Sequence, residues 1–488
     1  MKKIFLSCLI LFLLVHGQSL AQQPGTVRWS RTLNPGSSPS NDTLHSVRIQ
    51  TDKKVVVAGN SGVSIALGRF DATGVLDASF GTNGVVITSL DSARVGANAM
   101  EIQPDGKIVV AGGYEKDSVR DFLVARYHPD GRPDSSFGTF GRVQTDLGSG
   151  SFDVATAIAM QPDGKIVVAG RANSRIALFR YHPDGSPDST FGMNGSVVRI
   201  TDGATCLKVQ TNGKILVGGP DGITRLNPDG SPDAGFGTNA VTMLPGSCYD
   251  LAIQNDGKIL IAGGWIEFSV TRLDSTGIPD NSFGNSGVTT ITNFSPGASN
   301  PGQRAEWVCV QADGRILAGG WTKYCILGNC RDFALARYQS NGKLDSSFGI
   351  NGKIAKHITA YSADMSYAAA INSNNELVVG GIYTDFPALP SGWVLVSYYL
   401  GSPLEVRNYT VDNGPVTIVP NPSSGIVTFA APAAIKRIII TDLTGNKVYQ
   451  VQPGSPQTTL NLGEKAAGVY FYEVECEAGI QRGKLVVY

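Results

Sequence analysis

Residues 154–200 read VATAIAMQPDGKIVVAGRANSRIALFRYHPDGSPDSTFGMNGSVVRI, following Asp153, and most of the chain repeats this unit. The stretch holds two Asp-Gly turns, Asp163-Gly164 and Asp184-Gly185, and one Asn-Gly turn, Asn194-Gly195, between short runs rich in Val, Ile and aromatic residues. Asp-Gly and Asn-Gly supply the positive φ that type I′ turns need, so each marks a strand reversal. This predicts one strand before the first turn, a second through Ile166 to Ala169, a third through Ala177 to Tyr181 and a fourth after Gly195. Four such strands make one blade of a β-propeller.

Outward from this unit, the pattern Gln-x-Asp-Gly-Lys followed by apolar residues recurs at Gln103, Gln161, Gln254 and, with Arg for Lys, Gln311. An Asn-Gly variant starts at Gln210, and degenerate copies start at Gln50 and Asn372. The copies lie about 50 residues apart, near the spacing of known propeller repeats. A second motif, Asp-x-x-Phe-Gly, begins at Asp77, Asp134, Asp188, Asp233, Asp280 and Asp345. The unit at Asn372 ends at Tyr398-Tyr399 without it, whereas a lone strand-like piece, Thr26 to Leu33, precedes the first unit. The fold expected is therefore all-β, a seven-bladed β-propeller with N-terminal strand closure, in which residues 26–33 complete the last blade and leave no open edge.

Phe80, Phe137, Phe191, Phe236, Phe283 and Phe348 are expected to pack between neighbouring blades, each contributing roughly 1.5 to 3 kcal/mol if fully buried. The motif aspartates read as turn caps, because Asp beside Gly and Pro is what tight turns use; the competing reading makes them calcium ligands. His128 and His182 sit in the same repeated turn and read as structural.

From Gln-Pro-Asp-Gly-Lys to Asp-Ser-Ser-Phe-Gly, these motifs resemble the delta-sixty repeat family of bacterial proteins over roughly residues 44–352. The resemblance implies a secreted repeat protein with a propeller-like fold, and implies no activity. It fades over residues 353–400, where only the first half of the unit is recognisable, so the blade count rests on the closure argument.

The chain begins with Lys2-Lys3, an apolar run from Ile4 to Val15 and a small-residue exit, Ser19-Leu20-Ala21. This is the pattern of a secretory signal peptide, residues 1–21. A membrane anchor is the alternative, but the run is shorter than the roughly 20 residues a spanning helix needs. Lys+Arg and Asp+Glu number 40 each, so no net field draws nucleic acid or an anionic membrane. Gly at 59 residues and Pro at 25, in a chain 42% hydrophobic, describe a turn-dense but well-cored protein rather than a disordered one.

Cys325 and Cys330 flank a four-residue segment and are expected to form a disulfide. A zinc site competes, but it wants four ligands and has no second Cys pair or His cluster nearby. Cys206, Cys248, Cys309 and Cys476 lie in strand-like stretches and read as buried free thiols.

The repeat pattern covers residues 22–400, a linker 401–411, and a different all-β segment 412–488. That segment carries Pro420-Asn421-Pro422 with Gly425, then Gly468 with Tyr470, then Gly483-Lys484-Leu485-Val486-Val487. Alternation puts Tyr470, Tyr472, Val474 and Cys476 on one strand face, as in a small immunoglobulin-like β-sandwich. These landmarks resemble the C-terminal sorting domain of the type IX secretion system. The resemblance implies the type IX machinery as partner and export across both membranes of a Gram-negative bacterium, to the surface or medium. An ordinary immunoglobulin-like module is the alternative.

No nucleophile elbow, Walker loop, zinc-protease helix or metal-ligand set appears in the sequence, so no catalytic residue, metal or cofactor is assigned and a monomer is expected. Features repeated at every blade serve the repeat, so a partner should be read by loops that occur once. Tyr114, Trp265, Trp321 and Tyr383, each at or just after the end of a second strand, would ring one rim, joined by Tyr324 and Trp393. These rings either stack on sugars or anchor a protein, or they merely cover the blade tops. The function expected is binding or adhesion to a glycan or protein; the alternative is a carbohydrate-active enzyme using paired carboxylates such as Glu306 or Asp385 in that rim.

Overall fold

The computed structural model describes residues 23–487 except 37–40, 91, 149–151, 174, 200–202, 245, 265–266, 292–293, 295–301, 324–330, 360–362, 385–390, 402–415, 420–424, 443–446, 463–467 and 478. The proposed Cys325–Cys330 bridge lies outside these residues, as do Trp265, Tyr324, Asp385, Pro420, Asn421 and Pro422. The chain divides into two compact units after Gly401.

In the first unit the repeat forms four-stranded antiparallel sheets. The third is Asp153–Met160, Ile166–Ala172, Arg175–Tyr181 and Ser196–Arg199, in sequence order. Its second strand is apolar and closed off on both faces from Ile166 to Ala169, which is why Val and Ile fill it. Four further sheets, numbered here in chain order, repeat the arrangement; their first strands are Thr43–Ile49, Arg94–Ile102, Cys206–Val209 and Cys248–Ile253. The next seven strands and the N-terminal one are hydrogen-bonded as one sheet through a single parallel bridge, Arg331 to Ala363, and fall there into a sixth and a seventh group of four. First strands of these two are Gln303–Val310 and Ala363–Ile371.

The seventh group takes its fourth strand from the other end of the chain. Val27–Leu33 runs antiparallel to Ser391–Tyr399, from Val27 opposite Tyr398 to Leu33 opposite Trp393.

The Asn-Gly hairpin is type I′, with Asn194 at φ 54° and Gly195 at 87°. The Asp-Gly turns are not. Only their glycines have positive φ, 83° at Gly164 and 89° at Gly185, while the Asp side chain accepts the backbone N–H two residues on, as Asp163 does from Lys165 at 3.1 Å. Asp makes this local bond more cheaply than it adopts the left-handed region.

One cluster welds each sheet to the next. Asp188 Oδ1 accepts from the N–H and hydroxyl of Thr190, and Oδ2 from Arg180 Nε at 2.8 Å and Lys165 Nζ at 3.1 Å. The Arg180 guanidinium lies 4.7 Å above the Phe191 ring and donates to the carbonyl of Pro228 in the following sheet. The pairing of an Arg with the motif Asp eight residues on recurs from Arg69, Arg126, Arg225, Arg272 and Arg337, with Gly235 giving only its N–H in the Arg225 copy and Arg315 in place of the Lys in the Arg337 copy. All six motif phenylalanines are fully buried, and Phe80, Phe137, Phe191, Phe236 and Phe283 each sit over a turn glycine of the next sheet, Phe80 over Gly131 for example. With their oxygens so occupied, these aspartates act as caps and counter-ions of buried arginines.

The second unit has a three-stranded sheet, Thr417–Val419, Ile426–Ala430 and Gln457–Asn461, and a four-stranded one ordered Lys447–Val451, Ile435–Thr441, Gly468–Cys476, Gly479–Val487. Tyr470, Val474, Leu485 and Val487 enter one buried core with Val427, Phe429 and Ile438. Gly483 has no room for a side chain beneath the Tyr472 ring. Gly425 has φ 110°; of Lys484 and Val486 the backbone pairing with Phe471 and Val469 is described.

Candidate functional site

The first strands of the repeat sheets line one cavity of about 550 Å³. In six of them the pairing register slips by one residue, and the bulged residues are His45, Asn98, Thr156, Tyr249, Glu306 and Tyr367. In the fourth sheet the corresponding residue is Thr205, just before the strand. All seven line the cavity. A bulge re-aims a side chain without ending the strand, so the same irregularity, repeated, builds a polar ring.

The ring has two unlike halves. Asn98, Thr156 and Thr205 are small and donate across the junction to the next sheet, to the carbonyls of Ala155 (2.8 Å), Ala204 (2.7 Å) and Cys248 respectively. Tyr249, Glu306, Tyr367 and His45 form a crescent that carries the chemistry. Glu306, 8% exposed, accepts from Arg304 Nε at 2.7 Å and from Trp321 Nε1 at 3.0 Å. Arg304 also donates to the Tyr249 hydroxyl at 3.2 Å and stacks 4.3 Å from that ring. Arg331 lies 4.3 Å above Trp321. The Tyr367 hydroxyl donates to Met365 Sδ at 3.4 Å, and the His45 and Tyr367 rings are 6.4 Å apart.

Burial raises the Glu306 carboxyl above the usual carboxylate range despite Arg304 and Trp321. Burial, then the Glu306 charge, raises the Tyr367 hydroxyl. Burial also lowers His45 to about 4, so its imidazole is neutral at pH 7. Elsewhere on the cavity wall, Arg48 grips Glu101 of the next sheet through two bonds, at 2.7 and 3.2 Å. The cavity wall thus offers the rings of Tyr249 and Tyr367, the buried Glu306 carboxyl, the neutral His45 imidazole and the Arg48 guanidinium in one concave surface, the usual form of a small-ligand site, while Arg304 and Trp321 hold Glu306 by hydrogen bonds.

Of the residues expected at the rim, Trp321 meets this crescent through its hydrogen bond to Glu306, its ring packed against the core. Tyr114 is half-buried in the second sheet, against the core beneath it. Tyr383 and Trp393 are core residues instead: Tyr383 is 5% exposed with its hydroxyl on Asn34 Oδ1 at 2.7 Å, and Trp393 is fully buried. Both lie in strands packed on both faces, so closeness to a loop did not make them accessible. Tyr249, Tyr367 and His45 carry no sequence signal, because residue type at the bulge changes from unit to unit.

Residues 50–80, 103–137, 161–191, 210–236, 254–283 and 311–348 match the family described as Domain of unknown function (DUF5122) beta-propeller. Residues 417–488 match the Secretion system C-terminal sorting domain. No curated protein matches the chain. Among solved structures it is similar to virginiamycin B lyase from Staphylococcus aureus, at 12% identity over 76% of this chain and 99% of that one, TM-score 0.47. It is also similar to PorZ, a bacterial surface component of the type IX secretion system of Porphyromonas gingivalis, at 14% identity over 91% and 59%, TM-score 0.39. A third is the polysaccharide lyase Uly1, at 12% identity over 75% and 91%, TM-score 0.42.

Proposed function

We propose that this chain, with its DUF5122 propeller repeats and type IX sorting domain, is an exported binding module whose ligand enters the polar ring. The sorting domain implies export to the surface or medium by the type IX machinery. We read the repeat unit as a closed ring of seven blades, and the two sheets of the sorting domain as a small immunoglobulin-like sandwich.

One observation carries the functional reading. The scaffold repeats its Asp, Arg and Phe at six junctions, yet at the bulge it presents different side chains, and the chemically richest of them cluster at Tyr249, Glu306, Tyr367 and His45. Non-repeated chemistry on a repeated frame serves a partner. Aromatic faces beside a carboxyl and guanidinium groups suit a glycan or a polar protein segment.

The test is a glycan array and a surface-protein screen with wild type, Trp321→Ala and Glu306→Gln. A specific ligand lost in both variants, with circular dichroism unchanged, supports binding. Retention in both would move the ligand elsewhere. The raised Glu306 carboxyl favours a second reading, a general acid in a carbohydrate-active enzyme; turnover of a bound glycan, abolished by Glu306→Gln, would select it.

A further inference from the structure

We propose that the junction between the second and third sheets holds a divalent cation, of which calcium is the natural candidate, on the carboxylates of Asp121, Asp146 and Asp153. One oxygen from each lies within 4.8 Å of the others, a spacing that a cation with 2.3–2.6 Å oxygen contacts spans. Asp121 is 5% exposed and Asp153 fully buried. Asp121 Oδ2 accepts from Gln144 at 2.5 Å, Asp153 Oδ2 from the Leu147 N–H at 3.2 Å, and Asp146 Oδ1 from the Gly148 N–H at 2.8 Å. Asp121 Oδ1 is buried and has no hydrogen-bond partner, a costly state for a carboxylate oxygen.

The molecule contains its own control. Between the sixth and seventh sheets the equivalent residues are Asp332, His357 and Asp364. Asp121 and Asp332 each stand between an Arg and a Phe at the start of a third strand, and Asp153 and Asp364 each lie three residues before the bulge. Asp364 Oδ2 accepts the Ile358 N–H as Asp153 Oδ2 accepts that of Leu147. There, His357 Nδ1 lies between the carboxylates, 2.8 Å from Asp332 Oδ1 and 3.4 Å from Asp364 Oδ2. An imidazole N–H supplies the positive end at that junction. At the other, the third position is the carboxylate of Asp146, and a cation takes over the role. Oxygen-only ligands select calcium over a transition metal.

The experiment is calcium titration of the purified exported protein after chelator treatment, read by calorimetry and by melting temperature. Expected is one calcium per chain, with affinity in the ~0.1–1 mM range of extracellular modules or tighter, and a higher melting temperature on binding. Asp146→His should copy the other junction, folding normally and losing the ion; His357→Asp should bind a second. No ion in the wild type at about 10 mM calcium, well above that range, would overturn the site. So would an ion retained in both Asp146→His and Asp146→Asn, or a single ion in a folded His357→Asp.

A separate observation concerns Cys206 and Cys248, on adjacent fourth and fifth sheets. Both are buried, and their sulfurs are 3.1 Å apart. Gly218 leaves the space: a Cβ there would strike both sulfurs. In the structure both are free thiols, as expected from sequence; we infer that in the exported protein they are oxidised to a disulfide stapling the two sheets. The oxidant is the disulfide of a periplasmic thiol oxidase. The two thiols lose two protons and two electrons, the Sγ–Sγ bond forms, and the oxidase leaves as a dithiol. Non-reducing peptide mapping of exported protein, alkylated while denatured, should return a linked Cys206–Cys248 pair, and Cys206→Ser should expose an alkylatable Cys248. Two alkylated cysteines in the exported wild type would overturn the assignment.

Discussion

Trp29 lies against Gly74 as Phe80 lies against Gly131. The seventh group of strands lacks the Asp-x-x-Phe-Gly motif, and the N-terminal strand replaces its parts. Trp29 stands in for the phenylalanine, and Arg31 donates to the Gly74 carbonyl at 2.8 Å. Pro24 accepts the Gly349 N–H at 3.0 Å, as Asp130 accepts that of Gly81 at 2.9 Å. Removing residues 23–33 should therefore sharply lower the melting temperature, and Trp29→Ala should cost about 2 kcal/mol, less than the 3–5 of a fully buried aromatic because this ring is only partly buried. Unchanged melting in the deletion would refute the closure.

Breaking one weld should be costly. Arg180 and Asp188 are both buried, and Arg180→Met leaves a carboxylate without its main partner, at about 3–5 kcal/mol by urea unfolding. Arg180→Met with Asp188→Leu should cost less than Arg180→Met alone. A single variant within 1 kcal/mol of wild type, near the value of a surface pair, would mean the weld is ornamental.

Acid should act in two windows. His45 is lowered by burial to about 4 from about 6.5, so the unfolded chain takes up a proton that the folded chain refuses. Stability is full above about pH 6.5 and falls towards pH 4; His45→Gln should flatten this slope. In Asp188, burial opposes ionisation, but Thr190, Lys165 and Arg180 outweigh it and hold the carboxyl well below its ordinary value. Its contribution is present above about pH 4 and lost as pH falls below that towards the depressed folded value. Unfolding midpoints from pH 3 to 8 separate the two, since His45→Gln should change only the upper window.

Deleting residues 483–488 should leave the protein in the periplasm of its native host. Leu485 and Val487 are core residues of the sorting domain, and the last strand pairs with Gly468–Cys476 along its length. Fractionation and immunoblotting would show this, and a truncated protein at the surface would contradict the sorting role.

How much the sequence disclosed depended on what kind of repetition each residue takes part in. Asp188 and Phe191 are legible because identical residues recur at fixed spacing, and packing that recurs requires the same side chain each time. Arg180 recurs just as faithfully, eight residues earlier, but an arginine in a strand reads as surface until its partner is known. Trp29 is legible only as part of a spare strand, since its aromatic role has no copy to align. The crescent of Tyr249, Glu306, Tyr367 and His45 shares backbone geometry rather than residue type, and a bulge leaves no mark in the side-chain sequence. Trp393 shows the opposite failure: an aromatic beside a variable loop looks available until both faces of its strand are covered.

The pairing of Val27–Leu33 with Ser391–Tyr399 also sets a timetable. The piece that finishes the ring leaves the ribosome among the first residues of the unit, and its partner strand among the last. During synthesis and export the early piece has no mate, so the ring stays an open arc with two bare edges, and loop-closure entropy makes joining its ends the slow step. Whatever shields those edges in transit acts before this handclasp, and the crescent becomes a finished cup only after it.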